Sequence, residues 1–289
     1  MIKISAESEA FFGVNDPIEV IEEGLKKAKG YGIEALDYNF APRDNHFYKL
    51  DDEEFKKQLT ELKDLAGKYG IVFNQVHSVW PHDCAYDFDT NFEERKRDFP
   101  TYVKSLKGAS YLGAKYVVVH TAMPYGWARD LHEELVIEIN EVFIKDLLPY
   151  AKEYGVVICL ENLPFRTQLA STKRLNEFVK KFNDPNLMVC FDTGHAFVLK
   201  EDLAEDVLML GSNLACMHVH DNKGADYHLI PYQGGIKWEG FLDALKKINY
   251  KGTFSLETHF TKNMPEPFRD EFNRLLFKLA RSMADKIEN

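Results

Sequence analysis

The chain has 289 residues, of which 45% are hydrophobic and 28% are charged, and its formal net charge at pH 7 is −10. This composition is typical of a folded globular protein, and the negative charge argues against non-specific binding of nucleic acid. No apolar stretch approaches the roughly 20 residues that a membrane-spanning helix needs. The four cysteines form no CxxC pair. They therefore favour reduced thiols in a cytoplasmic protein over a disulfide framework.

Short apolar runs alternate with helical patterns along the whole chain. Asp16-Pro17 predicts the start of the first helix, with Asp16 as its cap, and Ile21 and Leu25 follow at helical spacing. Asp51, with Glu54 three residues later, predicts the start of the second helix. The eight runs predicted as strands comprise residues 2–6, 33–38, 71–78, 115–121, 156–161, 187–192, 214–220 and 253–257.

The repeat of these units predicts the architecture. Helices end at Tyr31-Gly32, Tyr69-Gly70 and Tyr154-Gly155, each just before a predicted strand. Eight strand–helix units without a linker indicate an α/β fold, a (β/α)8 TIM barrel that forms a single domain over residues 1–289. The alternative is an open doubly wound sheet. It would need a glycine-rich phosphate loop after the first strand, and AESEAFFGVND is not one.

Polar residues recur where the predicted strands end. In a TIM barrel, the carboxyl ends of the strands form the active-site face. One such residue alone is commonly a structural ion pair or a core histidine. Together, however, carboxylates and imidazoles without matching Lys or Arg predict a divalent cation between them, with Mn, Mg, Co and Zn as candidates. The residues at the ends of strands three to eight are His77, His120, Glu161, Asp192, His218 and Glu257.

Several motifs carry a family resemblance. They are ENLP at 161–164, FDTGH at 191–195, HVHD at 218–221, DYH at 226–228, GGIKW at 234–238 and LETH at 256–259. In this order they resemble the xylose isomerase-like TIM-barrel superfamily, over nearly the whole chain. That superfamily contains sugar isomerases and epimerases, inosose dehydratases and the abasic-site endonuclease IV. The resemblance is more specific for the fold than for the reaction.

The resemblance implies roles for particular residues. The shared metal site of the superfamily matches Glu161, Asp192, His218 and Glu257. The sugar epimerases use their two glutamate ligands to move protons, which would make Glu161 and Glu257 the acid–base pair. The histidine after strand six approaches the substrate in such enzymes, and this position is His195.

Further histidines keep a second activity open. His77, His120, Asp226 and His228 match positions that line a sugar pocket in some members and bind additional zinc in endonuclease IV. All nine positions of a trinuclear zinc site therefore have a counterpart in this chain. His220 is ambiguous, because side chains two apart on a strand point the same way. The match of HVHD to the superfamily pattern favours His218 as the ligand.

The predicted loops at the barrel mouth favour a sugar over DNA. A DNA-cleaving enzyme needs basic side chains for the phosphates. The loop after strand one instead carries Glu7, Glu9 and Asp16, and the loop after strand three is also acidic. Aromatic side chains suit the apolar faces of a small carbohydrate. Those predicted to line the substrate pocket are Tyr38, Trp80 and Trp127.

The sequence therefore predicts a metal-dependent isomerase or epimerase. Its partner would be a small keto-sugar or cyclitol, with the metal stabilising an enediolate; a homo-oligomer is compatible with this prediction. The alternatives are a keto-sugar or inosose dehydratase and an endonuclease IV-like zinc phosphodiesterase acting on abasic DNA.

The further Glu and Arg that are typical of ketose 3-epimerases are absent from the corresponding stretches, ENLPFRTQ and HVHDNKGAD. A metal-binding accessory barrel is a third class.

Overall fold

The structure, a computed structural model, describes residues 1–80, 88–121, 133–164, 169–258 and 264–288. Eight parallel strands form one sheet. All eight were predicted, and their ends differ from the predicted ends by at most two residues. The strands are β1 (Ile4–Glu7), β2 (Ala35–Asn39), β3 (Val72–His77), β4 (Tyr116–His120), β5 (Val157–Glu161), β6 (Leu187–Asp192), β7 (Leu214–His218) and β8 (Phe254–Leu256).

The sheet closes into a barrel. The strands pair in the order β7-β6-β5-β4-β3-β2-β1-β8. A parallel bridge between Val219 and Leu256 joins the two ends. There the amide of Val219 donates to the carbonyl of Ser255 at 2.8 Å, and the amide of Glu257 donates back to the carbonyl of Val219 at 3.1 Å. The predicted TIM barrel is thus confirmed, and the alternative of an open sheet is excluded.

Helices connect successive strands on the outside of the barrel. None of the helices in the described ranges is both long and apolar enough to cross a membrane. The helices are α1 (Ile18–Gly30), α2 (Asp52–Lys68), α3 (Phe88–Leu112), α4 (Glu133–Tyr154), α5 (Thr172–Phe182), α6 (Thr193–Val198), α7 (Leu203–Leu210), α8 (Trp238–Lys247) and α9 (Phe268–Glu288).

The two predicted helix starts have different outcomes. Asp51 caps α2 as predicted, because its carboxylate accepts hydrogen bonds from the amides of Glu53 and Glu54 at 3.1 and 2.9 Å. The prediction that Asp16 caps α1 is wrong. Pro17 occupies the cap position. Asp16 lies one residue too early and accepts from the amide of Gly13 at 2.7 Å.

Inside the barrel, three thiols lie beneath the mouth. Cys159, Cys190 and Cys216 are free and buried, as predicted, and form an apolar cluster with Val118. Each lies two residues before a polar residue at the end of β5, β6 or β7. Because side chains on a strand alternate, the thiols and the polar groups face the same lumen in successive layers.

Candidate metal centre

Four residues at the barrel mouth form what we call the central group, namely Glu161, Asp192, His218 and Glu257. One potential ligand atom from each lies within 4.8 Å of the others, and all four side chains are buried. Nδ1 of His218 lies 2.8 Å from Oε1 of Glu161 and 3.3 Å from Oε2 of Glu257. It lies 4.0 Å from Oδ2 of Asp192. The four residues come from β5, β6, β7 and the end of β8, so the closed barrel brings them together.

The central group fits a divalent cation. Three carboxylates surround one imidazole, and within the described ranges no Lys or Arg pairs with them. Oε2 of Glu257 is buried and accepts no hydrogen bond from a described residue. Such groups repel one another and lose solvation unless a positive charge lies between them. Mixed oxygen and nitrogen ligation is suitable for Mn, Co, Mg or Zn.

The two glutamates of the central group have different electrostatic surroundings. Burial alone would raise the pKa of Glu161, but the imidazoles of His218 and His120 outweigh it and hold that pKa well below its usual range. For Glu257, burial outweighs the attraction to His218 and, with repulsion from Glu7, raises the pKa well above its usual range. Before a cation binds, Glu161 is therefore the more readily ionised of the two glutamates, and Glu257 is the more readily protonated.

A second group shares Glu161 with the central group and contains His77 and His120. Nε2 of His120 lies 2.9 Å from Oε2 of Glu161, and Nε2 of His77 lies 3.6 Å from the same oxygen. The two Nε2 atoms are 3.2 Å apart. Glu161 thus presents one oxygen to each group, the geometry of a carboxylate that can bridge two cations.

A third group consists of His195, His220, Asp226 and His228. Oδ2 of Asp226 lies 3.4 Å from Nε2 of both His195 and His228. The His220 and His228 rings stack 4.0 Å apart. Burial opposes the charged form of His195, but the carboxylates of Asp192 and Asp226 outweigh it and raise the pKa of His195 to about 9. This group could hold a further cation.

Hydrogen bonds to the main chain orient three of these histidines. His77, His195 and His228 each donate from Nδ1 to a carbonyl oxygen, at 2.9, 2.8 and 3.0 Å. Nε2 is therefore left facing the other members of its group, and once the imidazole is neutral it is the nitrogen free to bind a metal. The accepting carbonyls belong to Ser78, Asn162 and Glu257, respectively.

The ENLP and FDTGH motifs fold against each other. The side chain of Asn162 accepts from the amide of Asp192 at 2.7 Å and donates to its carbonyl at 2.8 Å. Asp192 also caps α6, because its Oδ1 accepts from the amide of His195 at 2.6 Å. This cap places His195 over the mouth directly after β6.

The structure shows where the two histidines of HVHD lie, and it adds one residue to the site that the sequence prediction missed. Both His218 and His220 point inward; His218 joins the central group and His220 the third group. Nε2 of His220 lies 3.0 Å from Oδ2 of Asp192. The missed residue is Asp37, whose Oδ2 lies 2.9 Å from Nε2 of His218. The available signal was an acidic residue inside the buried run ALDYN.

The three aromatic residues that were predicted to line the substrate pocket have different locations. Trp80 follows β3, is half exposed, and its ring lies 6.1 Å from that of His77. The prediction for Tyr38 is wrong. It is buried, and its ring packs 4.9 Å from Phe40 and 5.7 Å from Phe73. Asp37 points into the barrel, so the next residue must point outward. Trp127 lies outside the described residues.

Comparison with known proteins identifies the family to which the chain is similar. The family model for the xylose isomerase-like TIM barrel matches residues 25–277. An uncharacterised protein of Methanocaldococcus jannaschii is 31% identical over 207 residues, 70% of this chain and 69% of the relative. A probable endonuclease 4 of Mycoplasma mobile is 25% identical over 239 residues, 75% of this chain and 77% of the relative.

Among solved structures, a D-tagatose 3-epimerase-like protein is 25% identical, with a TM-score of 0.75 and coverage of 100% of both chains. The family match covers most of the chain, in agreement with the motifs at the ends of β5 to β8. The chain therefore belongs to the xylose isomerase-like TIM barrel family.

Proposed function

We propose that this protein is a divalent-metal-dependent isomerase or epimerase of a small keto-sugar or cyclitol. The observation that carries the proposal is the position of two glutamates, Glu161 from β5 and Glu257 from the end of β8. They approach His218 from strands three apart in an eight-membered ring. Two carboxylates reaching one buried position from separated directions suit the removal of a proton and its return from another side.

Each residue then has a defined task. A cation held by the central group would supply positive charge that acidifies the C–H bond beside a carbonyl. Glu161 would take that proton, and Glu257 would deliver one to the opposite face or the neighbouring carbon. His195 would hold a substrate oxygen. Positioned acid–base groups of this kind contribute on the order of 10²–10⁴ in rate.

The charge around the mouth supports a small uncharged substrate. Arg43, near the end of β2, is already occupied by Asp98 at 2.7 Å and by the carbonyl of Trp80 at 2.9 Å. With Arg43 bound in this way and a net charge of −10, a polyanion such as DNA would gain little electrostatic attraction here.

The decisive experiment measures proton transfer directly. Protein loaded with Mn²⁺ or Co²⁺ is incubated in D2O with a panel of keto-sugars and inososes. Deuterium should enter the carbon next to the carbonyl, as observed by NMR. Glu161→Gln should abolish the exchange, whereas Glu53→Gln, on the exposed surface of α2, should leave it unchanged. Absence of exchange with every substrate and both metals would refute the proposal.

One observation favours a second candidate, a zinc phosphodiesterase that acts on abasic DNA. The three ligand groups lie side by side around Glu161 and Asp192, as expected for a cluster that clamps a phosphate. The test is incision of an abasic-site duplex by zinc-loaded protein. Incision that is lost in His228→Gln would establish this activity. No incision by fully loaded protein would exclude it.

A further inference from the structure

His218 differs from the other oriented histidines of the mouth. His77, His195 and His228 bond a main-chain carbonyl through Nδ1 and present Nε2. His218 does the reverse, because its Nδ1 faces the central group while its Nε2 faces the carboxylate of Asp37 at 2.9 Å. For His218, the carboxylate of Asp37 therefore replaces the backbone carbonyl that each of the other three histidines contacts.

The chemistry of imidazole gives this contact a consequence. A neutral histidine carries its proton on one nitrogen only, and a cation must bind the other. A cation in the central group meets Nδ1, so the proton must be on Nε2, where Asp37 accepts it. We propose that Asp37 is a positioning residue that fixes the tautomer and the orientation of His218 for the cation. This inference rests on the proposed function, because it assumes that the central group binds a metal.

Asp37 is itself held in place. The side chain of Gln75, on the neighbouring strand β3, donates from Nε2 to the same Oδ2 at 2.8 Å. The side chain of Asn74 donates in turn to Oε1 of Gln75 at 2.8 Å. Both Asp37 and Gln75 are buried. The carboxylate consequently has one orientation, and its fixed Oδ2 determines the direction of the Nε2–H bond of His218.

The surroundings of Asp37 do not suggest a role in stability. Its Oδ1 is buried and accepts no hydrogen bond from a described residue, and within the described ranges no Lys or Arg forms an ion pair with it. A buried carboxylate with an unused oxygen is unfavourable for folding. Such a group is most readily explained by its contact with His218, the one ionisable side chain among the described residues that it bonds.

The test is metal affinity, which requires no knowledge of the substrate. Mn²⁺, the ion that suits the central group, is titrated against a chromophoric chelator in the presence of the full-length protein. Asp37→Asn should weaken binding about 10-fold and Asp37→Ala up to about 100-fold, the range for partners of a metal-bound histidine. Ser255→Ala is the matched control, since it removes a buried barrel hydroxyl that has no hydrogen bond to described residues. It should bind like wild type.

A second measurement on the wild-type chain covers the case in which the variants fail to fold. In the zinc-loaded protein, long-range ¹H–¹⁵N NMR should show the proton of His218 on Nε2. A proton on Nδ1, or wild-type affinity in folded Asp37→Asn and Asp37→Ala, would overturn the inference.

Asp192→Asn separates this outcome from failure of the proposed function. If that variant loses metal while the Asp37 variants do not, only the role of Asp37 is wrong. If Asp192→Asn binds metal normally, the central group is not the metal site, and both the proposed function and the inference fall.

Discussion

At the scale of single residues, the second histidine of HVHD and the glycine of FDTGH depend on each other. A Cβ atom at Gly194 would lie 2.0 Å from Cε1 and 2.3 Å from Nδ1 of His220. These distances are far below van der Waals contact, and the imidazole is buried and held by Asp192. His220 can therefore occupy its position beside Asp192 only if residue 194 has no side chain.

Gly194→Ala should consequently both destabilise the protein and disturb the centre. Forcing a methyl group into a packed interior costs roughly 1–3 kcal/mol, and the displaced His220 would release Asp192, a member of the central group. Thermal denaturation and metal titration measure the two effects. Gly67→Ala is the control, because a Cβ added there in α2 would meet no described atom within 4 Å beyond the helix's own backbone, and it should be neutral or stabilising by up to about 1 kcal/mol. Wild-type stability and metal affinity in Gly194→Ala would contradict this packing argument.

The sequence predicted the central group more completely than its supporting residues. Glu161, Asp192 and His218 end their strands, Glu257 directly follows β8, and a strand end in a parallel barrel has a known location. Asp37 was missed because its partner is 181 residues away and its direction depends on the inward or outward alternation of β2. The same alternation turned Tyr38 away from the mouth. If the inward and outward alternation of a strand is shifted by one residue, the predicted direction of every side chain on that strand is reversed.

At the scale of elements, the strands were predictable because each is a short apolar run bounded by turn signals. The helix caps were less predictable, since a cap depends on a single residue's backbone conformation, as Asp16 illustrates.

One connection between helices brings two carboxylates together, those of Glu201 and Asp206. Glu201 accepts from the amide and the hydroxyl of Thr172, which begins α5, at 3.2 and 2.8 Å. Burial and the nearby Glu201 carboxylate raise the pKa of Asp206, in α7, to about 8.

This pair predicts a pH dependence of stability. Between the ordinary pKa of Asp206, 3.8, and about 8, the native protein holds a proton that the unfolded chain has lost. The contribution of Asp206 to stability therefore falls as the pH rises through that window, and the loss is complete above it. Asp206→Asn removes the titration. Its Tm relative to wild type should rise as the pH is increased and level off above about pH 8.

The control for that experiment is Glu205→Gln on the same helix, an exposed side chain that should produce a much smaller change with pH. Thermal unfolding of the three proteins across the window provides the comparison. A difference between Asp206→Asn and wild type that stays constant with pH would show that Asp206 does not hold the proton.

At the scale of the whole molecule, closing the ring gathers carboxylates and imidazoles from many strands into one buried mouth. The chain carries 46 acidic against 36 basic residues, so this local accumulation of carboxylates is not relieved by the protein's overall charge. The sequence predicted most of the charged and imidazole side chains that reach the mouth, but not Asp37. Their division into three groups, with Glu161 shared, depends on side-chain directions that only the closed barrel fixes.

Metal binding should therefore stabilise the entire fold. A ligand that binds only the native state adds about 2.7 kcal/mol at a free concentration of about 100 times Kd. For a protein of this size, that corresponds to a rise in Tm of several degrees. Chelator-treated protein should show the lower Tm, and Mn²⁺, Co²⁺ or Zn²⁺ should restore the higher one. Asp192→Asn should lose the response to Mn²⁺, the ion that suits the central group, and an equal Mn²⁺ response in that variant would place the stabilising ion elsewhere.

The number of ions per chain should depend on the metal supplied. The central group has three carboxylates, which suit Mn²⁺, whereas the second and third groups are mainly imidazole, which suits Zn²⁺. Elemental mass spectrometry should thus find about one Mn per chain after loading with manganese, and up to about three Zn after loading with zinc. His228→Gln should remove about one Zn and leave the Mn content unchanged, because His228 belongs to the third group alone. Zinc binding that stops at one ion in the wild type would mean that the histidine-rich groups serve the substrate rather than a metal.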